Sequence, residues 1–396
     1  MKIFLMEKDS MKPLSERTNH FTDSVIRRMT RISNKYGALN LSQGFPDSNP
    51  PQAILNRLAE LKNEPVHQYP ITFGVKKFRE ALAAKQEHFT GLKIDPETEV
   101  VVTCGGTEAM IAATMTVVNP GEKVVLFSPF YENYRADTIL SGAEPIFVPL
   151  IPPDFKFREA DLEAAFAQNP KAIILCNPNN PCGKVFTRSE LEFIAALAEK
   201  HDTYVITDEV YEHLVFEPMK HTYFSTLPGM WERTISCGSL SKTYSMTGWR
   251  LGYTIAPESI TETIKKVHDF LTISASGPMQ EAAVVGLRFG DDYYRDFLAD
   301  YAKRRKFFLD GLDRIGIDHT NPEGAYYVLL DISRYKYEND LEFCEDLARK
   351  VGIGAVPGSS FFREPVNHLI RLHFAKSEAV LTDALNRLEG IHKMER

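Results

Sequence analysis

Between Val100 and Pro257, short apolar runs alternate with stretches whose apolar residues recur every three or four positions. The runs EVVVTC, KVVLFSP, PIFVPL, KAIILCNP, TYVITDEVY, RTISCGSL and RLGYTIAP read as strands. Between them, TEAMIAATMTVV, YENYRADTILSG, READLEAAFAQ and SELEFIAALAEKH read as helices. Strands that are apolar on both faces and separated by helices predict an α/β fold, with a mostly parallel sheet sandwiched by helices. One helix start is marked by the capping-box spacing of Ser189 and Glu192, after which Leu191, Ile194, Ala195 and Ala198 share a face.

The last hundred or so residues have a different rhythm. A long helical pattern from Asp291 leads to the strand candidates AYYVLLDI and LIRLHFA, and EAVLTDALNRLEGI closes the chain as a helix. This predicts a second, smaller α+β domain over 291–396 beside a large domain over 51–290. Residues 1–50 are expected to form an extended arm and to contribute part of the small domain.

Composition narrows the function classes. The 396 residues carry 46 Lys and Arg against 53 Asp and Glu, a formal charge of −7, which argues against nucleic acid as the main partner. The five cysteines are scattered and odd in number, a poor basis for a disulfide framework and a better match to a reducing cytoplasm. The N-terminal stretch has neither the apolar core nor the small-residue cleavage site of a secretory signal, and no segment is long and apolar enough to span a bilayer. Cys176 and Cys182 do not have a metal-ligand spacing, and no metal is expected.

Ligands of open parallel sheets sit outside the carboxyl ends of the strands, and there this chain places its polar and glycine-rich loops. CGGTEA sets Gly105 and Gly106 at a strand end just before a helix. It is either a plain turn or a helix N-terminus that holds a phosphate. In NPNNPCG the prolines forbid helix, and Asn180 is the amide that a rigid turn could aim at a ligand oxygen. Asp208 ends an apolar strand as a helix cap or as a buried carboxylate that pairs with a cationic ring nitrogen, with Tyr211 one turn later. In SLSKTYSMTGWR, a desolvated Lys242 can become a nucleophile toward a carbonyl, while Arg250 and Ser239 can grip a phosphate. A phosphate, an aldehyde, a phenolic oxygen and a ring nitrogen wanting Asp208 together describe pyridoxal phosphate.

The ordered set LSQGFPD, HQYPITFG, CGGTEA, PFYENY, NPNNPCG, DEVY, SLSKTYSMTGWRLGY and HLIRLHFA resembles the class I/II aminotransferases, the fold-type I pyridoxal-phosphate enzymes, over nearly the whole chain. The resemblance implies that Lys242 forms the aldimine with the cofactor and that Asp208 pairs with its pyridine nitrogen. It gives Asn180 and Tyr211 the ring 3-oxygen, and Tyr131 the ring face. The phosphate would go to the backbone at Gly106 and Thr107, with Ser239 and Arg250. It further implies a homodimer in which Tyr69 reaches a phosphate across the interface. Arg371 would clamp the substrate α-carboxylate, with Gly44 lining the same pocket. His368 and His373 read as structural.

The start and end of the chain look most like the glutamine/kynurenine/methionine branch of that family. Together with Phe45, Tyr69, Tyr131, Phe361 and Phe362, this implies a large neutral amino-acid donor, aromatic or methionine-like, and a 2-oxo acid acceptor. The competing expectations are a C–S β-lyase on the same scaffold, an aminotransferase of the aspartate or diaminopimelate type, and the sensing domain of a regulator.

Overall fold

Alternation along the central strands sets the layers of the molecule. The structure, a computed structural model, describes residues 12–21 and 23–395. Residues 1–11 of the expected arm, with positions 22 and 396, lie outside the described residues. Seven strands make the large sheet: β1 (Val100–Thr103), β2 (Lys123–Ser128), β3 (Glu144–Pro149), β4 (Ala172–Cys176), β5 (Tyr204–Asp208), β6 (Thr234–Ser239) and β7 (Gly252–Ile255). Their spatial order is β1-β7-β6-β5-β4-β2-β3. All neighbours pair parallel except β7, which runs antiparallel to both β1 and β6.

Because successive side chains leave a strand on opposite faces, the apolar runs feed two cores. Val124, Leu126, Ile174, Ile206 and Ile235 meet residues of the helices Gly106–Val117 and Glu258–Thr272. Val125, Phe127, Ile173, Leu175 and Val205 face the other way, onto the helices Glu159–Phe166 and Arg188–Lys200. At the β1–β7 edge, Val100, Val102, Tyr253 and Ile255 pack with the helices Gln52–Glu60, Lys76–Thr90 and Gly277–Leu287. The parallel sheet with helices on both faces is thus the one the hydrophobic pattern predicts. The carboxyl ends of β1, β2, β4, β5 and β6 share one edge, and every glycine-rich or polar loop singled out between Cys104 and Arg250 opens there.

A second core surrounds a three-stranded antiparallel sheet of β8 (Tyr327–Asp331), β9 (Val356–Pro357) and β10 (Leu369–His373), ordered β9-β10-β8. The long helix Asp291–Ile315 and the helix Glu378–Leu388 cover it through Phe308, Leu312, Leu381 and Leu385. Among the described residues, no helix is long and apolar enough to cross a membrane, and all five cysteines are free thiols.

Two local expectations need correction. The segment before residue 50 is not extended throughout: Val25–Tyr36 is a helix, capped by Ser24 and stopped by Gly37 at φ +62°. Val25, Met29 and Ile32 fall at helical spacing against the second core while Arg27, Arg28 and Arg31 face outward, so the periodic signal for a helix was present in the sequence and the extended reading overlooked it. The capping box lies two residues earlier than Ser189 and Glu192. Thr187 is the N-cap, and it and Glu190 exchange side-chain and backbone bonds. Both pairs have the same spacing, and Thr187 is the one whose extended backbone fits an N-cap. The inward face of that helix is as expected, with Leu191, Ile194, Ala195 and Ala198 all buried.

Candidate active site

The loops at the carboxyl edge enclose a cavity of about 1130 Å³ between the large sheet and the second core. Its floor at one end is the turn after β1. Gly105 sits at φ +83°, and a Cβ there would strike the Arg250 guanidinium. A side chain at Gly252 would overlap the backbone of Gly105 and Gly106. The turn can approach Arg250 this closely only with glycine at both places. The helix Gly106–Val117 starts from it, and the N–H groups of Gly106 and Thr107 in its first turn have no intrahelical acceptor. Arg250 is fixed by Nη1 to the Thr247 carbonyl at 3.0 Å and by Nη2 to the Cys104 carbonyl at 3.4 Å.

Behind the turn, Glu108 accepts the Cys104 N–H, the Thr272 hydroxyl at 2.9 Å and His268 Nδ1 at 2.5 Å. Burial pushes the Glu108 carboxyl up, but His268, the Cys104 amide and Thr272 outweigh it and hold it below its ordinary range.

At the centre, β6 ends at Ser239, and a short helix, Leu240–Thr243, carries Lys242. The Ser239 hydroxyl accepts the Ser241 N–H at 3.0 Å and donates to the Leu251 carbonyl at 3.1 Å, so in this arrangement it caps the lysine helix. Lys242 Nζ donates to the Gly44 carbonyl at 3.0 Å, which also accepts the Tyr326 hydroxyl at 2.9 Å. Burial, then the charges of Arg371 and Arg250, lower the Lys242 amine to about 8 against the pull of Asp208. Asp208 closes β5 and is buried. Tyr134 donates to its Oδ2 at 2.6 Å and the Val210 N–H to its Oδ1 at 3.2 Å. Desolvation still wins and raises the carboxyl above its ordinary value. The Tyr211 hydroxyl pairs with that of Tyr327 at 2.9 Å.

The opposite wall comes from β10. Arg371 is fully buried, its guanidinium held between the rings of Tyr327 at 4.2 Å and Phe361 at 4.6 Å. Nη1 donates to Asn180 Oδ1 at 2.7 Å and Nη2 to the Ser42 carbonyl at 2.8 Å, while Nε has no partner. A buried guanidinium with a spare N–H is a site for a carboxylate.

Of the residues singled out from sequence, Lys242, Asp208, Tyr211, Asn180, Tyr131 and Arg371 line this one cavity. So do Gly44, Gly106, Thr107, Ser239 and Arg250. Phe45 and Phe362 line it too, while Phe361 lies beneath Arg371. Tyr69 stands apart, 80% exposed on the outer surface. His373 is buried, and its Nδ1 accepts the Ala375 N–H. Sequence reading missed Tyr134 and Tyr327, each of which touches a singled-out residue; their only signal was membership of the aromatic clusters FYENY and AYYVLL.

A sheet of this topology, with a lysine, a buried aspartate and a buried arginine in one cavity at its carboxyl edge, defines a fold-type I pyridoxal-phosphate enzyme. The chain belongs to the class I and II aminotransferases, whose family model matches residues 36–388. It is 35% identical to methionine aminotransferase of Escherichia coli, over 93% of this chain and 96% of that protein. Human kynurenine–oxoglutarate transaminase 1 is 32% identical over 89% and 92% of the two chains. The solved N-succinyldiaminopimelate aminotransferase of Mycobacterium tuberculosis superposes with a TM-score of 0.91 at 35% identity, covering 96% of this chain and 99% of that one.

Enzymes of this family use pyridoxal phosphate, and the residues present fit it. The glycine turn beside Arg250 leaves room for a phosphate at a helix N-terminus. Asp208, a desolvated carboxylate, is suited to a cationic ring nitrogen, and Lys242, with its lowered amine, to an aldehyde.

Proposed function

We propose that this aminotransferase takes the amino group of a large neutral L-amino acid, aromatic or methionine-like, and passes it to a 2-oxo acid. The observation that carries the reading is the placement of Lys242 Nζ in one buried cavity with Asp208 and Arg371, its amine lowered to about 8. The apolar lean rests on Phe45, Tyr131, Tyr327 and Phe362, the aromatic residues that line the same cavity as Arg371. It is supported by the methionine and kynurenine specificities in the names of two relatives.

In this reading the backbone of Gly106 and Thr107, with Ser239 and Arg250, would hold the cofactor phosphate, and Asp208 would pair with the ring nitrogen. Asn180 and Tyr211 would hold the ring oxygen, and Tyr131 would face the ring. Pyridoxal phosphate supplies a cationic ring that absorbs electron density when a bond at the substrate α-carbon breaks. Arg371 binds the α-carboxylate and sets the orientation of that carbon, with Gly44 keeping the pocket narrow: a Cβ there would run into the Tyr327 ring. Lys242 Nζ takes the α-proton as base and returns it as acid, and its lowered basicity lets it do both near neutral pH.

The division into a large cofactor-binding domain over 51–290 and a small domain over 291–396 with part of 1–50 belongs to the same proposal, as do a cytoplasmic location and a place in amino-acid metabolism. So does a homodimer in which Tyr69 reaches the partner's phosphate.

A donor panel tests the substrate. We expect phenylalanine, methionine or kynurenine to be turned over in preference to aspartate, with the matching 2-oxo acid formed. Aspartate preferred over phenylalanine and methionine would overturn the apolar lean. Pyruvate and ammonia released from a cysteine conjugate without any 2-oxo acid present would point to the lyase chemistry instead.

A further inference from the structure

Outside the reacting centre, the ion pair of Glu108 and His268 poses a problem of charge. Glu108 sits in the first turn of the helix whose N-terminus would take the cofactor phosphate, and its carboxylate is tied to the Cys104 N–H of that turn. A carboxylate there fixes the turn but repels a phosphate dianion. His268 is fully buried and both its ring nitrogens face oxygen acceptors: Nδ1 meets Glu108 at 2.5 Å, and Nε2 meets the Thr72 carbonyl at 2.9 Å. With Glu108 held below its ordinary range and the Thr272 hydroxyl, 3.3 Å from Nδ1, donating to that carboxylate, neither Glu108 nor the Thr72 carbonyl can donate, so the ring faces both as the donor.

We propose that His268 is a positioning residue for the phosphate. It neutralises Glu108, so the carboxylate can brace the Cys104–Thr107 turn without opposing the anion that the turn holds. The inference rests on the pyridoxal-phosphate reading of the site. Glu108 then gives shape, His268 cancels its charge, and Thr272, with a hydroxyl donated to the same carboxylate oxygen at 2.9 Å, completes the brace. The bond to Thr72 also ties this pair to the surface segment that carries Tyr69.

The test compares pyridoxal phosphate with pyridoxal, which lacks the phosphate, by titrating cofactor-stripped protein and following the visible band of the Lys242 adduct. In His268→Gln an uncompensated Glu108 should weaken pyridoxal phosphate about tenfold and leave pyridoxal within about twofold. The double variant Glu108→Gln/His268→Gln should recover the phosphate preference, because the repelling charge is gone; a purely structural role for His268 would not give that recovery. An unchanged preference in His268→Gln, or a double variant as weak as the single one, would overturn the proposal. Should His268→Gln not fold, Glu108→Gln alone decides: with the carboxylate gone and its amide oxygen still able to accept the Cys104 N–H, the preference for the phosphate form should be kept or raised, and a lowered preference refutes the pairing. A wild-type protein that binds both compounds equally would overturn the phosphate site itself.

Discussion

Desolvation governs the reacting residues one by one. Burial lowers the Lys242 amine to about 8 from an ordinary 10.5, so a useful fraction is neutral near physiological pH. The sign gives a prediction: attack on the cofactor aldehyde needs the unprotonated amine, so the rate of reconstitution with pyridoxal phosphate should climb with pH and level off above about 8. Stopped-flow absorbance would show this, and a rate still climbing toward pH 10.5 would contradict it. Asp208 is opposite in kind: burial raises its carboxyl above the ordinary value, and the Tyr134 hydroxyl and the Val210 N–H pull it back only in part. Tyr134→Phe removes the 2.6 Å donor. A hydrogen bond to a charged group is worth about 1.5–3 kcal/mol, so steady-state kinetics should show kcat/KM down by about tenfold or more. The sequence offered Tyr131 and Tyr134 side by side. Only the fold brings Tyr134 to an aspartate 74 positions away.

At the scale of elements, strand patterns were the most readable part of the chain, since a strand buried on both faces leaves a continuous apolar run. Six of the seven strands of the large sheet and β8 and β10 of the small one lie inside the runs read from sequence, and β3 begins one residue before its run, at Glu144. Helix starts were less readable, because a cap is decided by the backbone conformation of one residue. The helix Arg188–Lys200 provides a direct check. Thr187→Ala should cost about 1 kcal/mol in urea unfolding, while Ser189→Ala should stay within about 0.5 kcal/mol. Equal losses would mean that the cap is shared between the two hydroxyls.

For the whole molecule, one surface is out of balance. Phe270 is 91% exposed and Tyr69 80%, with Ile71 at 54% and Ile273 at 50%. The His268–Thr72 bond and a 3.5 Å contact from Thr72 to Asp269 hold their two segments side by side. Exposed apolar residues gathered in this way mark an interface, which is the face the proposed homodimer would use. Phe270→Glu places a charge there, and sedimentation velocity should then show a monomer where the wild type runs as a dimer. A wild type that sediments as a monomer would remove this basis for Tyr69 acting in a neighbouring site.

The sequence by itself determined the α/β class, the strand series and the chemistry-bearing loops, because hydrophobic period and glycine–proline punctuation are local properties. It also carried the family, through motifs whose order is fixed along the chain. What the tertiary structure alone decided is which groups face one another: Tyr134 with Asp208, Tyr327 with Tyr211 and Arg371, and His268 with Glu108. Each of these pairs joins residues far apart in sequence, and their charge states follow from burial that no single segment reveals. The reactivity of Lys242 belongs to the same class, since its lowered amine comes from a cavity built by strands and loops across the whole chain.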